Sequence, residues 1–147
     1  MVKKLYKART GAIFKNKEAQ VIGETIDKLR DKEGHVTPEE ILNYAKSKKS
    51  PINKYFNWND SEAGYQYRLS QARNLVSHIV EIVVIEGEKT EQRSFPNVSV
   101  PEKGYVYVTL NDAVSKPDYR RQLLDRALST LKNLQETLTM FREHDYK

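Results

Sequence analysis

Apolar residues recur at intervals of three and four in several parts of the chain, which is the spacing of one face of an α-helix. A central stretch shows this spacing most regularly, with intervals of four, three, four and three, at Tyr65, Leu69, Ala72, Val76 and Ile79. Asn59 can cap this helix, and Glu62 stands at the third helical position as its reciprocal partner. The pattern predicts a central helix over about 60–79 with a polar far face.

Two shorter helices are predicted before it. The first runs from about Lys17 to Lys32, with Asn16 as its cap and Gly34 as its end. The run Thr37-Pro38-Glu39-Glu40 is a capping box with proline at the first helical position, and it starts a second helix that reaches about Ser47. Helix, short turn and helix make a helix-turn-helix candidate, although helical hairpins of any purpose share this pattern.

A short aromatic segment links the second helix to the central one. Ser50-Pro51 predicts one further helical turn, and Tyr55, Phe56 and Trp58 follow it. Aromatic side chains here could stack on nucleic-acid bases. We favour the alternative, in which they anchor the start of the central helix.

After the central helix the apolar period changes to that of strands. Strands are predicted over 79–86, 89–95 and 105–110. The segment 96–104 is predicted to be a loop because Pro101 cannot sit in a central strand. The fold class is therefore α+β and mainly helical, with a small antiparallel sheet. A winged-helix arrangement is one reading, with Lys89, Gln92 and Arg93 near the wing; a sheet that only caps the core is the other.

A long helix is predicted at the end of the chain. Ser115 and Asp118 mark its start, and it reaches about Glu143, or roughly 40 Å at 1.5 Å per residue. Leu123 and Leu128 widen its apolar stripe beyond a coiled-coil seam. We expect this stripe to pack on the central helix and to pair with a second copy as a homodimer; packing within one chain alone is the alternative. The stripe is formed by Leu124, Ala127, Leu131, Leu134, Leu138 and Phe141.

Length and composition indicate one domain in a reducing compartment. The chain has 147 residues and no cysteine, so disulfides and thiolate zinc sites are excluded. A basic arm (1–16), a helical part (17–79), a small sheet (80–110) and the long helix (116–143) are the expected subdivisions. No apolar run approaches the roughly 20 residues of a membrane span, and the basic N-terminus lacks a signal-peptide core. We expect a cytoplasmic protein without membrane contact.

Positive charge is concentrated in the first third of the chain. Residues 1–57 carry 13 Lys and Arg against 7 acidic residues, within a net charge of +5. Clustered cations attract phosphates, although such a surplus also serves solubility alone. The predicted phosphate contacts are Lys46, Lys48, Lys49 and Lys54. The predicted contacts of the central helix to bases or backbone are Arg68, Gln71, Arg73 and Asn74, for which an ordinary solvated face is the alternative.

The sequence carries no recognisable catalytic constellation. Its three histidines are not at ligand spacing, its glycines are scattered, and no hydroxyl nucleophile lies in a known elbow. We therefore predict a non-enzymatic protein with no cofactor and no metal site.

Four short runs of the sequence form a pattern: Ala8-Arg9-Thr10-Gly11-Ala12, Phe56-Asn57-Trp58-Asn59-Asp60, Tyr67-Arg68 and Gln71-Ala72-Arg73. This pattern resembles that of a family of small uncharacterised phage and prophage proteins. The likeness covers most of the chain, and it implies a phage or mobile-element context in a bacterial host without implying a mechanism. Asn59 departs from the pattern, because an acidic residue is expected there.

Three functional hypotheses follow. The first is a dimeric phage-type protein that binds duplex DNA through the basic residues and the polar helix face. The second is a protein-interaction module that docks on a host or phage protein. The third is a subunit of an oligomeric nucleic-acid machine such as a packaging adaptor.

Overall fold

The computed structural model describes residues 3–59 and 62–144, without the side chains of residues 62 and 63. The chain divides into two compact units, one ending at Leu110 and the other beginning at Asn111. The first unit contains β1 (Lys7–Ala8), α1 (Asn16–Lys28), α2 (Pro38–Ala45), a 3₁₀ turn (Asn53–Tyr55), α3 (Glu62–Ser77), β2 (Ile79–Ile85), β3 (Glu88–Arg93), β4 (Asn97–Val100) and β5 (Gly104–Tyr107). α4 (Leu110–Ser115) and α5 (Pro117–His144) follow. The prediction of a mainly helical α+β fold with a long C-terminal helix is confirmed.

The first helix begins as predicted but is capped differently. Asn16 is its first residue, and the Asn16 side-chain oxygen accepts a hydrogen bond from the backbone N–H of Ala8 (2.9 Å). The Glu18 carboxylate instead accepts the N–H of Lys15 (2.9 Å). The prediction of Asn16 as the cap was wrong, because its side-chain oxygen bonds the backbone N–H of Ala8 and not an N–H group of α1.

The connection between α1 and α2 is a nine-residue loop, 29–37, and α1 ends four residues earlier than predicted. Asp31 fixes this loop, because its carboxylate accepts the backbone N–H groups of Glu33 and His35. Val36 then forms a β-bridge with Tyr107 of β5. This nine-residue loop is longer than the three- or four-residue turn that joins the two helices of a helix-turn-helix motif.

The capping box of α2 is confirmed. The Thr37 hydroxyl accepts the N–H of Glu40 (3.3 Å), and the Glu40 carboxylate accepts the N–H of Thr37 (3.0 Å). Ile41, Leu42 and Ala45 of α2 are buried in the core. Such a cap contributes about 1 kcal/mol to helix stability.

The central helix, α3, buries Leu69, Ala72, Leu75 and Val76, whereas Tyr65 is 41% exposed. It ends at Ser77, because the side chains of Ser77 and His78 bond the carbonyl oxygen of Asn74. Ile79 is buried as predicted, but it begins β2. The predicted capping box between Asn59 and Glu62 requires the side chain of Glu62, which lies outside the described part of the chain.

Two small antiparallel sheets follow the helices. One has the order β1-β2-β3, with Val80 opposite Arg93 and Ile85 opposite Glu88. The other pairs β4 with β5, with Val98 opposite Val106. The prediction of a loop over 96–104 was wrong, and the strand predicted at 105–110 pairs within the second sheet and ends at Tyr107. The short run after Pro96 forms β4 because its alternate residues, Val98 and Val100, are buried.

The predicted N-terminal arm supplies part of the core. Tyr6 is buried, and its ring stacks on Phe95 with 5.8 Å between ring centres. The Tyr6 ring also lies close to α1 at Gly23, where a Cβ atom would overlap the ring. Gln20 fixes the same segment, since its side chain bonds the N–H of Tyr6 (3.0 Å) and the carbonyl oxygen of Lys4 (2.9 Å). Burial raises the pKa of the Tyr6 hydroxyl, with Asp27 adding to the effect.

The long helix α5 has nearly the predicted limits, but none of its described residues is buried. The apolar stripe that the sequence predicts to be packed is exposed along its length. None of the described helices is long and apolar enough to span a bilayer.

We predict that Gly23→Ala destabilises the protein by about 1–3 kcal/mol, since the added methyl group meets a buried ring and not solvent. Helix propensity alone would give a gain of up to about 1 kcal/mol, so the two effects have opposite signs. Urea unfolding followed by circular dichroism measures the change. In a Tyr6→Ala background the cost should largely vanish; a cost of equal size in both backgrounds would contradict the Tyr6 contact.

Candidate functional site

The lysine turn, residues 46–49, is exposed between α2 and the 3₁₀ turn. The hydroxyl of Ser47 accepts the N–H of Lys49 (3.3 Å), and this fixes the turn locally. Within the described chain, Lys46, Lys48 and Lys49 form no ion pair. Their charges are therefore available to an anion.

Lys48 and Lys54 lie together in a cleft of about 510 Å³ beside Lys17 of α1. Within this cleft Lys54 forms an ion pair with Glu18: its ammonium group is 3.2 Å from the Glu18 carboxylate and 5.3 Å from the centre of the Tyr55 ring. This bond raises the pKa of Lys54. The pKa of Glu18 is lowered, first by the Lys15 backbone N–H and then by Lys54.

Two of the predicted contacts on α3 instead hold the aromatic segment. The Arg68 guanidinium donates to the carbonyl oxygens of Asn59 (2.7 Å) and Asn57 (3.4 Å) and lies 5.6 Å from the Trp58 ring centre. The side-chain oxygen of Gln71 accepts the N–H of Asn57 (3.0 Å). These bonds engage Nη1 of Arg68 and the side-chain oxygen of Gln71, two of the groups that could otherwise read a base.

Trp58 is fixed from its other side. Its ring lies 5.6 Å from that of Phe56, and its indole N–H donates to the carbonyl oxygen of Asn53 (3.0 Å). Trp58 is half-buried against the core cluster. This geometry is that of an anchor for the start of α3.

Arg73 lies on the opposite flank of α3 from Gln71, because two residues at 100° each place them about 160° apart. Arg73 lines a cleft of about 350 Å³ with Thr37 and Tyr107. Gln71 and Asn74 line another, of about 260 Å³, whose other lining residues are Ile13, Tyr67 and Ser70.

The predicted contact residues are thus spread over separate surfaces. The three clefts share no lining residue. Lys48 and Lys54 are brought together, as are Gln71 and Asn74, whereas Arg73 stands apart from both pairs. The arrangement does not form one continuous basic face.

A group that sequence reasoning missed lies in the loop between α1 and α2. Ligand atoms of Asp31, Glu33 and His35 lie within 4.8 Å of one another. The ammonium group of Lys103, from the β4–β5 turn, lies 3.1 Å from the Asp31 carboxylate, 3.3 Å from that of Glu33 and 3.4 Å from His35 Nδ1. Lys103 thereby occupies the position of a cation, and the cluster ties the two loops together. The alternating Asp-x-Glu-x-His pattern was its signal in the sequence.

The β2–β3 hairpin, the candidate wing, is acidic. It carries two basic residues, Lys89 and Arg93, among four glutamates, Glu81, Glu86, Glu88 and Glu91. Val84 is 64% exposed on the same hairpin. Glu81 is mostly buried and paired with Lys4 at 3.5 Å, so Glu86, Glu88 and Glu91 are the carboxylates that would repel a phosphate.

The exposed stripe of α5 is an extended apolar surface. Its large side chains are between 51% and 60% exposed over a helix of 28 residues, or about 42 Å. Residues 117–144 carry five basic and four acidic side chains, so the helix is nearly neutral. Contiguous exposed apolar surface of this kind marks an interaction site. The stripe comprises Leu124, Ala127, Leu131, Leu134, Leu138 and Phe141.

We predict that Asp31→Asn destabilises the protein near neutral pH and that the difference from the unmodified chain disappears in acid. The backbone N–H of His35, above all, and Lys103 lower the pKa of Asp31 from 3.8 to about 2. The stabilisation is therefore complete above about pH 4 and lost as the pH falls through 2.

Urea midpoints of both proteins between pH 7 and 2 measure this difference. Glu136→Gln, on exposed α5, removes the same charge and serves as the control. A difference for Asp31→Asn that stays constant over this range would contradict the ion-pair account.

Comparison of the chain with protein-family models, with curated proteins and with solved structures found no match. The likeness to small phage proteins therefore stays a prediction from short motifs.

Proposed function

We propose that the chain is a non-enzymatic protein-interaction module of phage type that works through the exposed stripe of α5. The observation that carries this proposal is a 28-residue helix without one buried residue, along which apolar side chains repeat at intervals of three and four. Most helical stability in proteins comes from packing an amphipathic face. A helix of this composition gains that packing when another chain covers its stripe.

A second copy is the first partner to consider. The stripe is self-complementary in chemistry, since it is apolar on both copies, and the near-neutral charge of α5 produces little repulsion between two of them. A host or phage protein with a matching helix would use the same surface. Both versions place function in protein contacts and not in a catalytic centre.

We predict that Leu131→Glu converts the protein to a monomer, because it puts a charge at the middle of the apolar stripe. Ser129→Glu adds the same charge on the opposite face of α5 and should leave association unchanged. Sedimentation velocity over a range of protein concentrations measures the mass. A monomeric unmodified chain would refute self-association, and equal effects of both variants would show that the stripe is not the interface.

Duplex DNA is the second candidate partner. The observation that favours it is the lysine turn, where Lys46, Lys48 and Lys49 are exposed without ion pairs in the described chain. In this version the turn contacts phosphates. The acidic β2–β3 hairpin argues against a wing that enters DNA, so the winged-helix reading receives no support from its charge.

We predict that, if DNA is bound, affinity falls roughly 40-fold between 50 and 200 mM salt for three phosphate contacts. Replacing Lys46, Lys48 and Lys49 together by Ala should weaken binding and flatten this salt dependence. Fluorescence polarisation with a labelled duplex measures both quantities.

The matched control replaces three exposed lysines elsewhere, Lys28, Lys32 and Lys132, by Ala. It removes the same charge and should have the smaller effect. Absence of binding at both salt concentrations would refute this candidate, and equal losses in the two triple variants would refute the lysine turn as the contact.

A further inference from the structure

We infer that two copies of α5 pair in antiparallel orientation, with the twofold axis between Leu131 and Leu134. The inference rests on the proposed function of α5 as an association surface. It adds the orientation of the partner and the residues that meet.

The stripe is built from two rows with seven-residue spacing. One row is Leu124, Leu131 and Leu138; the other, three residues further on in each repeat, is Ala127, Leu134 and Phe141. These rows occupy the a and d positions of a two-stranded coiled coil, and Leu123 and Leu128, which widen the stripe, lie at the flanking g and e positions. All six residues are exposed.

The sizes of the residues distinguish the two orientations. A parallel pair places identical residues opposite each other, so that Ala127 meets Ala127 and Phe141 meets Phe141. One layer would then be under-filled and another over-filled, and both conditions destabilise a core. Only the four leucine layers, at Leu124, Leu131, Leu134 and Leu138, would be well matched.

An antiparallel pair removes this mismatch. About an axis between Leu131 and Leu134, Ala127 faces Leu138 and Leu124 faces Phe141. Each small or large side chain then meets a leucine, which is the alternation that fills a core evenly. The two central layers pair Leu131 with Leu134.

The flanking positions accept this arrangement. Thr130 then lies beside Thr137, and Leu128 beside Gln135, so these neighbours add no like charges. Arg121 approaches Arg142 at the outer edge. Arg121 is already paired with Asp118 at 2.8 Å, which offsets its charge.

The absence of cysteine from the chain allows a direct test, because introduced thiols can pair only with each other. Ala127→Cys and Leu138→Cys are prepared separately, mixed, and oxidised under mild conditions. In the antiparallel pair residue 127 faces residue 138, within the Cα distance that a disulfide requires. Two copies of residue 127 are 11 residues apart along the pair, or about 16 Å.

We predict that mass spectrometry finds the mixed disulfide in several-fold excess over either homodimeric disulfide. Ser129→Cys, on the outer face, should form no disulfide and controls for random collision. Sedimentation velocity of the unmodified chain should give the mass of two copies.

The two proposals fail in different ways. A dominant disulfide between two Ala127→Cys chains overturns the antiparallel orientation and leaves α5 standing as the association surface. A monomeric chain overturns self-association, and with it the pairing inferred here, but leaves α5 open to a host or phage protein as partner. A mass above that of two copies overturns the two-helix pairing.

Discussion

The close contact of the Tyr6 ring with α1 at Gly23 is the constraint on which the first unit depends. It requires a residue without a side chain, and it places the ring so that it also stacks on Phe95. Three parts of the chain that are distant in sequence thereby meet at one point. Once Tyr6 is fixed, Lys7 and Ala8 are in position to pair with β2, and the sheet is joined to the first helix. A glycine inside a helix, which is locally unfavourable, is in this way compensated by non-local packing.

Local signals in the sequence were sufficient for elements whose ends are determined locally. The capping box at Thr37 specifies the start of α2 by itself, and the seven-residue repeat specifies the length of α5. Elements decided by distant partners were predicted less well. Asn16 has the chemistry of a cap, but its side-chain oxygen accepts the backbone N–H of Ala8 instead. β4 is too short to show a strand period in the sequence, and only the structure shows that Val98 pairs with Val106.

The candidate site shows the same limit. Helical periodicity correctly identified the polar face of α3, but it could not show that Arg68 and Gln71 turn back on residues 57–59. The same spacing separates Arg73 from Gln71, but it could not show that Arg73 lines a different cleft from Lys48 of the lysine turn. On α5 the apolar stripe was predicted correctly from its periodicity. The periodicity of one helix does not show whether that stripe is buried or exposed.

The charge of the β2–β3 hairpin has a consequence for aggregation. In the described chain β1 pairs only with Ile79 and Val80, so the remainder of β2 has an edge without a strand neighbour. An apolar edge strand is a template for stacking into fibrils. Glu81 and Glu86 bracket its apolar run, and Glu88 and Glu91 line the returning strand, so a stack of such hairpins would accumulate negative charge with each added copy. The glutamates are placed as gatekeepers, since they oppose the stacking of an exposed valine-rich strand.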